Sequence, residues 1–488
     1  MEGEDPAEET IAPDSQDLTL AYYPDRSMNP LYGSDYTNRV VMSLMYQGLF
    51  AVDSKNNTTP ILCSQYQVTP DNRTWTIYLE PNATFSDGTR VTVQDVVASY
   101  EQARQNVYYK GRFTHIARVE LSSDGGVDFF LDTPYQNLAL LLDIPIVKAS
   151  EVTVDNPLGT GPYSLEDGIG GKHLQRVVGW WCSSDDLVAK DSSIALVEAE
   201  SPSQIRDEFE FSGLSVVCTN PQTDSYADYR CDFELWEVDS GFMMYIGCNV
   251  TYSKFFDDGT LRTFLTYGID RQTLVDDNYG GLALPTTLPI SPMSPYYSKS
   301  LATNYDYDEM RFIDAASKFR VPTNDKGVPR TLQLLVNSDD SARLRCARNI
   351  AATLTELGLA CETVESPTSV YEARLQAANY DIYLGITKLP TTADLSEFYR
   401  PWGEMSWGGL ANETIYNMVN QSLADRGNYY NLHKLVADDG RIIPVMAGYY
   451  AIYAKRGVLS DLNPARDNVF YYTLGKTMES SKVATQFS

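Results

Sequence analysis

Residues 85–100 read FSDGTRVTVQDVVASY and lead from a tight turn into a helix. The Asp87-Gly88 pair is a turn signal, because glycine readily adopts the positive φ that such turns need. Thr92 has a hydroxyl that can cap a helix, and the carboxylate of Asp95 can bond back to the cap from the third helical position. Apolar residues follow at helical spacing, so we predict an amphipathic helix that begins at Thr92.

Strand patterns flank this helix on both sides. Trp75, Ile77 and Leu79 alternate with less apolar neighbours, as in a half-buried strand. On the far side, the turn Asp124-Gly125-Gly126 separates two strand-like runs and predicts a β-hairpin. A helix enclosed by strands in this way indicates a compact α+β unit over residues 46–155.

The chain outside this unit alternates strands and helices. A strand at 18–23 is followed by a helix predicted over residues 35–49. Apolar residues recur at helical spacing over 344–357, between strand-like runs at 332–336 and 359–364. Strand, helix and strand in this order form a βαβ unit, which is typical of a layered α/β domain.

Length and composition exclude several classes of protein. A chain of 488 residues divides into about three structural units at about 150 residues each. Its hydrophobic fraction of 43% and charged fraction of 21% are ordinary for globular proteins. The net charge of −27 repels phosphate backbones and anionic lipid, so neither nucleic acid nor a membrane surface is an expected partner. No run approaches the roughly 18 apolar residues of a membrane span.

The N-terminus and the cysteines bear on where the protein works. Residues 1–15 are acidic and contain proline, which is typical of a flexible stalk; the acidic tail of a cytosolic protein has the same composition. Seven cysteines without a C-x-x-C pair argue against a disulfide scaffold and against a structural zinc site. Cys218 and Cys231 are near enough in sequence to be bridged, although free thiols are favoured for most of the seven.

The sequence contains few residues with catalytic or metal-binding chemistry. His115, His173 and His433 are far apart, and none lies in an H-E-x-x-H or G-x-S-x-G motif, so we expect no metal site, no cofactor and no Ser-His-Asp triad. Adjacent acids such as Asp257-Asp258 resemble glycosidase carboxylates, but among 65 acidic residues such pairs arise by chance and serve as turns or caps. We interpret the glycine-rich run at 168–172 as a turn.

Four stretches of the chain follow one another in the order of a known family. They are YQGLF at 46–50 with the run at 74–100, GTGPY at 159–163, the block from 245 to 281 that contains YGIDR, and the βαβ segment that ends at Tyr380-Asp381. Together they cover nearly the whole chain and resemble the extracellular solute-binding proteins of family 5. These are the oligopeptide-, dipeptide- and nickel-binding components of ABC importers.

The resemblance implies an α/β fold of the type II, cluster C periplasmic-binding class, with two lobes and a hinge. Three domains are then expected after the stalk at 1–15: a discontinuous domain I over 16–45, 156–242 and 455–488, domain II over 46–155, and domain III over 243–454. Two crossings of the chain, near 242 and 454, would form the hinge.

The resemblance also implies the function. Such a protein captures a small solute, here most simply a peptide, by closing its lobes, and delivers it to an ABC permease in the membrane. Peptide binders of the family have Gly-Trp after the Tyr-Asp strand, and then Ala-Asp-Tyr-x-(Asp/Glu)-Pro, whose first Asp receives the peptide ammonium. In this chain Ile386 replaces the Trp, and Ala393-Asp394 follows only after extra residues. Asp394 is therefore our predicted ammonium anchor, and a helix cap is the alternative interpretation.

Three further segments are predicted to border the ligand. The loop from Tyr32 to Tyr36 lies where the family's first loop meets the cleft, and Tyr383 lies on a strand that leads toward it, although it could face the core. Trp407, Gly408 and Gly409 would provide an aromatic wall with exposed backbone.

We therefore expect a monomeric cell-surface lipoprotein of a Gram-positive bacterium, since the acidic stalk is typical of such proteins. Two alternatives stay open at this point. One is a secreted hydrolase of peptide or glycan, which would need a converging acid–base pair in the cleft. The other is a sensor that uses the same fold without a permease.

Overall fold

The computed structural model describes residues 17–33, 35–168, 170–182, 191–221, 229–459, 462 and 464–470. The predicted stalk and the last residues of predicted domain I lie outside these ranges. Within the described ranges, no helix combines the length and the apolar character that a bilayer crossing requires.

Seventeen strands occur in the described residues. In chain order they are β1 (Thr19–Tyr22), β2 (Phe50–Val52), β3 (Thr58–Pro60), β4 (Cys63–Val68), β5 (Thr74–Leu79), β6 (Ile116–Leu121), β7 (Val127–Leu131), β8 (Tyr163–Gly168), β9 (Gly171–Arg176), β10 (Ser193–Glu198), β11 (Val216–Thr219), β12 (Phe233–Cys248), β13 (Leu284–Pro285), β14 (Leu332–Asn337), β15 (Cys361–Ser366), β16 (Ile382–Lys388) and β17 (Ile442–Lys455).

Twelve α-helices lie between these strands in the same part of the chain. They are α1 (Tyr36–Met42), α2 (Val93–Ala103), α3 (Pro202–Phe211), α4 (Thr260–Phe264), α5 (Arg271–Tyr279), α6 (Lys299–Ala302), α7 (Glu309–Lys318), α8 (Ser341–Glu356), α9 (Thr368–Gln376), α10 (Ser396–Tyr399), α11 (Glu413–Ala424) and α12 (Tyr429–Asp439).

One large mixed sheet runs through the molecule in the order β15-β14-β16-β12-β17-β11-β1-β10-β9-β8, and β13 pairs with β17 off this path. The antiparallel sheet β4-β5-β7-β6 packs with α2 as a separate layer. This mixed α/β architecture, with a parallel β14-α8-β15 unit, agrees with the predicted fold class.

The long strands β12 and β17 join the two halves of the large sheet. They pair with each other along most of their length, whereas β16 pairs only with the second half of β12 and β11 only with the last part of β17. The register of β12 shifts between Asp239 and Met243. Gly241, in this bulge, has a φ of 78°, and a Cβ there would lie 2.6 Å from the carbonyl oxygen of Leu389. A bulge of this kind bends the strand at the point where the half-sheets meet.

The predicted helix α2 has the cap that the sequence indicates. Thr92 Oγ1 accepts from the backbone N–H of Asp95, and the Asp95 carboxylate accepts from the backbone N–H of Thr92, so the capping box is complete. The predicted hairpin at Asp124–Gly126 joins β6 to β7, and the predicted amphipathic helix is α8.

The first helix is shorter than predicted. Instead of running to residue 49, α1 ends at Met42. The carbonyl groups of Leu44 and Met45 accept from the N–H groups of Tyr163 and Gly161, so they bond to the segment that leads into β8 and not to the next helical turn. Gly161 allows this approach, because a Cβ at that position would lie 2.5 Å from the carbonyl carbon of Met45.

Candidate functional site

A cleft lies beside the bulge of β12. Its empty volume is about 1040 Å³, including the solvent at its mouth. One wall comes from α1, the turn after it and residues 47–56. The floor is formed by residues 237–239 of β12, with 464–468 beside it, while Met293 and Thr391 contribute from the chain that follows β12. Segments from before and after the crossing strand β12 therefore face each other across the cleft.

Three cations converge at one end of this cleft, and we call Arg39, Arg112 and Lys388 the cation cluster. Arg39 is on α1, Arg112 lies between α2 and β6, and Lys388 is the last residue of β16. The ring of Tyr108 lies at the centre, with the Arg39 guanidinium carbon 3.5 Å and Lys388 Nζ 3.5 Å from its centroid. Concentrated positive charge at this point is notable in a chain of net charge −27.

The carboxylate of Asp467 completes the cation cluster. Arg112 Nη2 donates to Asp467 Oδ2 at 2.6 Å, Arg39 Nη2 lies 3.7 Å from Asp467 Oδ1, and the Tyr108 hydroxyl donates to the same carboxylate. Arg112 also forms a bidentate pair with Asp143, at 2.9 and 3.0 Å. These groups are almost fully buried, so their charges interact more strongly than at the surface.

Burial and charge act in opposite directions on two of these groups. Burial raises the pKa of Asp467, but the positive charges of Arg112, Lys388 and Arg39 outweigh burial and hold that pKa well below its ordinary value. Burial lowers the pKa of Lys388 well below that of a solvated lysine, and although Asp467 opposes this change, the neighbouring arginines reinforce it. Lys388 is thus the least stabilised charge of the cluster.

Asp394, the predicted ammonium anchor, lies outside the walls of the cleft and is 8% exposed. Its Oδ2 lies 3.2 Å from His115 Nε2, and its Oδ1 accepts from the backbone N–H of Ser396 at 2.8 Å. Burial opposes the charge of Asp394, but His115 and Ser396 lower its pKa overall. The carboxylate thus holds together a segment before β6 and a segment after β16. As an anchor for a solute it stays a prediction.

His115 also lies in a Ser-His-Asp arrangement that the sequence does not reveal. Its Nδ1 is 2.8 Å from Asp132 Oδ1, and its Nε2 is 2.8 Å from Ser396 Oγ. Burial alone would lower the pKa of His115, but Asp394 and Asp132 raise it to about 9. A protonated imidazole cannot accept the serine proton, and Ser396 is fully buried, so this arrangement lacks both a general base and access for a substrate.

The tyrosines predicted from the first loop have different environments. Tyr32 is 44% exposed and is absent from the walls of the cleft. Tyr36 is buried at the start of α1, and its ring stacks on that of Tyr450 at 3.7 Å between centroids. Because Tyr36 precedes Arg39 by one helical turn, its side chain packs close to the cation cluster.

The remaining predicted residues lie together, away from the cleft. Tyr383 is buried in the core with its ring edge against Trp407, at 5.9 Å between centroids. The carbonyl group of Gly408 accepts from Thr251 N–H, and that of Gly409 accepts from Arg441. A Cβ at Gly409 would lie 2.0 Å from Thr251 Oγ1, so close backbone packing accounts for this glycine. The segment contacts the end of β12 and not the bulge.

Sequence patterns did not identify the cation cluster. Its members are separated by long stretches of chain, and each one resembles an ordinary surface charge in its local context. One signal was present: Arg39 directly precedes the apolar residues Val40, Val41 and Met42 on a predicted helix, so its side chain had to enter the interior or fold back over it.

The described residues contain no group of three or more His, Cys, Asp or Glu side chains arranged to hold a metal ion. Cys218 and Cys231 are both free thiols, so they are not bridged to each other. Burial raises the pKa of Cys218, which therefore behaves as a small apolar side chain.

Comparison with known proteins gives one family and one fold. The family model described as "Bacterial extracellular solute-binding proteins, family 5 Middle" matches residues 57–409. Glutathione-binding protein GsiB of Escherichia coli O6:K15:H31 is 25% identical over 302 residues. The matched region is 57% of this chain and 57% of GsiB, so the chain spans little more than half of the curated relatives it matches.

Solved structures match over nearly the whole chain. The periplasmic murein tripeptide-binding protein MppA, in its unliganded open form, has a TM-score of 0.78 at 15% identity, over 94% of this chain and 97% of MppA. The oligopeptide-binding protein AppA of Bacillus subtilis, in complex with a nonapeptide, has a TM-score of 0.64 at 18% identity, over 93% and 98% of the two chains. At these identities, the likeness establishes the fold alone.

Proposed function

The chain belongs to the bacterial extracellular solute-binding proteins of family 5, and from this membership we propose that it captures a peptide in the cleft beside β12 and delivers it to an ABC permease. The observation that carries the proposal is the position of the cleft. Its walls come from both sides of the two strands that join the half-sheets, so a solute bound there would contact both halves at once.

The same observation supports a hinged division of the chain. We propose the three domains expected from the sequence, with residues 16–45, 156–242 and 455–488 in domain I, 46–155 in domain II and 243–454 in domain III. The bulge at Gly241 is a suitable pivot, because bulged strands bend at a defined point. A solute that binds more tightly when the halves approach each other shifts the open–closed equilibrium toward the closed form.

A peptide is the first choice of solute for two reasons. The names of the similar proteins refer to glutathione, a murein tripeptide and a nonapeptide. In addition, the cleft has a volume of about 1040 Å³ and cationic groups beside it, which suits a short peptide with a terminal carboxylate.

The cellular setting follows from the family and from the acidic N-terminus. The family is extracellular. We propose that residues 1–15 are the stalk of a surface lipoprotein in a Gram-positive bacterium and that the protein works as a monomer with a membrane permease as its partner. Capture without chemical change is the proposed activity, since Asp394 and Asp132 raise the pKa of His115 to about 9, which makes it a poor base for Ser396, and Ser396 is fully buried.

Small-angle scattering tests the proposal directly. We expect a mixture of short peptides to reduce the radius of gyration of the protein, while a mixture of maltooligosaccharides of similar mass leaves it unchanged. Chromatography of the same peptides after incubation should recover them intact. A radius that no peptide changes would contradict peptide capture, and cleaved peptides would favour the hydrolase alternative.

A further inference from the structure

Asp467 lies between the cleft and Arg112, a member of the cation cluster that does not line the cleft. Asp467 and Arg39 line the cleft, whereas Arg112 and Lys388 lie behind them and do not. The carboxylates of Asp467 and Asp143, which both line the cleft, therefore occupy the positions from which a negative group in the cleft would reach Arg112.

The cluster contains three basic side chains, against the two carboxylates of Asp467 and Asp143. Asp143 pairs with Arg112, and Asp467 is shared between Arg112 and Arg39. Lys388 Nζ has the Tyr450 hydroxyl at 3.3 Å, but across the described part of the chain no carboxylate lies within 4 Å of it. A buried ammonium group without a carboxylate partner is costly, so this end of the cleft favours additional negative charge.

The segment that carries Asp467 is held largely by its side chains. Ala465 and Asn468 form main-chain hydrogen bonds with each other. Arg466 donates to Asp239 at 2.6 Å, and its Nη1 donates to the carbonyl oxygen of Leu389 at 2.9 Å. Rotation of the Asp467 side chain would release the cluster without breaking any strand of the large sheet.

We infer that Asp467 is an internal competitor for a carboxylate of the captured solute, so the solutes of this protein carry a carboxylate that replaces Asp467 on Arg112 and Arg39. This inference rests on the proposed function. The exchange keeps the charge on the arginines balanced, and the displaced Asp467 carboxylate is hydrated at the cleft. A solute carboxylate can in addition approach Lys388, which has no carboxylate within 4 Å in the part of the chain that the structure describes.

While Asp467 occupies Arg112 and Arg39, a solute carboxylate cannot bind them. The apparent affinity for the solute is therefore its intrinsic affinity multiplied by the fraction of time for which Asp467 is away from the arginines. If Asp467 holds the site for about nine-tenths of the time, Asp467→Asn tightens the binding of a carboxylate solute roughly tenfold. A solute that lacks the carboxylate does not compete with Asp467, so its affinity does not change.

The experiment compares a mixture of short peptides that have free carboxyl termini with the same mixture as C-terminal amides, with dissociation constants measured by calorimetry. We expect wild type to prefer the free acids and Asp467→Asn to bind them roughly tenfold more tightly. Glu120→Gln removes one charge from an exposed side chain of β6 and should change neither constant. Arg112→Gln should abolish the preference. Lys388→Met should reduce the preference for free acids. Because this substitution leaves no carboxylate unpaired, it provides a second test in case Arg112→Gln fails to fold.

Equal affinity for acids and amides in wild type and in Asp467→Asn would overturn the inference while leaving peptide capture intact. Failure of both mixtures to bind Asp467→Asn would also overturn it, because a vacated carboxylate site has to accept at least the acids. The proposed function is judged separately in that case, by whether the protein isolated from its own cells carries a solute.

Discussion

Neutralising Asp394 tests whether its carboxylate holds the segment before β6 to the segment after β16. In Asp394→Asn the amide keeps the shape of the side chain but no longer offers a charge to His115, whose Nε2 lies 3.2 Å away. The pKa of His115 is raised from 6.5 to about 9, and at 1.36 kcal/mol per pKa unit this corresponds to roughly 3 kcal/mol. Asp132 also interacts with His115, but its side chain is half-exposed. We therefore assign the larger part of this free energy to Asp394. We expect the variant to lose about 2 kcal/mol of unfolding free energy at pH 6.

The loss should depend on pH, with a definite sign. Because the pKa of His115 is raised in the folded state, its stabilising contribution is complete below about 6.5 and disappears as the pH rises through 9. The pKa of Asp394 is lowered, so its contribution is present above the ordinary aspartate value and disappears as the pH falls through the folded value. Wild type and Asp394→Asn should therefore differ most near pH 5–6 and converge by about pH 10.

Urea denaturation between pH 5 and 10, with the His115 imidazole followed by NMR, measures both quantities. Asp132→Asn is the matched control, and it should lose less because Asp132 is half-exposed. An equal loss for Asp394→Asn at pH 6 and pH 10, or a His115 pKa near 6.5, would refute the reasoning. If Asp394 anchors a solute ammonium as the sequence suggests, its variant also weakens solute binding, whereas Asp132→Asn does not.

Three further predictions concern other parts of the molecule. Gly161→Ala places a Cβ 2.5 Å from the carbonyl carbon of Met45 and should lower the free energy of unfolding by about 1–3 kcal/mol in urea, while Gly213→Ala, whose Cβ meets nothing within 4 Å, should not. The ring nitrogens of His433 have no hydrogen-bond partner in the described part of the chain, and burial lowers its pKa to about 4. His433→Leu should thus stabilise the protein by about 1 kcal/mol and remove roughly 3 kcal/mol of acid destabilisation between pH 6.5 and 4, and unchanged acid denaturation would contradict this. An acidic solute bound beside Lys388 should raise the lowered pKa of that lysine, because a neighbouring negative charge favours the ammonium form; a Lys388 pKa that the solute leaves unchanged, measured by NMR, would count against a solute carboxylate there.

Local features of the fold were predictable because they depend on neighbouring residues. The capping box at Thr92, the hairpin at Asp124–Gly126 and the amphipathic helix α8 each involve contacts within a few residues of the chain, and the structure contains all three. The end of α1 was predicted wrongly, because it depends on hydrogen bonds to residues 161 and 163, which lie far along the sequence.

The candidate site was much less accessible to sequence reasoning. His115 and Ser396 are 281 positions apart, and nothing near either residue indicates the other. Asp467 resembles an ordinary acidic residue until the fold brings it to Arg112. Of the predicted contacts, Tyr36 packs close to the cation cluster, while Trp407 and Tyr383 pack together at the other end of β12. Charge pairs between distant segments leave no periodic pattern in a single sequence.

Native mass spectrometry of the protein isolated from its own cells is the most direct test of capture in the cleft. We predict one small molecule per chain, with the mass of a carboxylate-bearing peptide, and the same mass for the molecule released after prolonged incubation. A bound molecule whose mass falls with time, or repeated isolation of the protein with no bound molecule, would contradict the account.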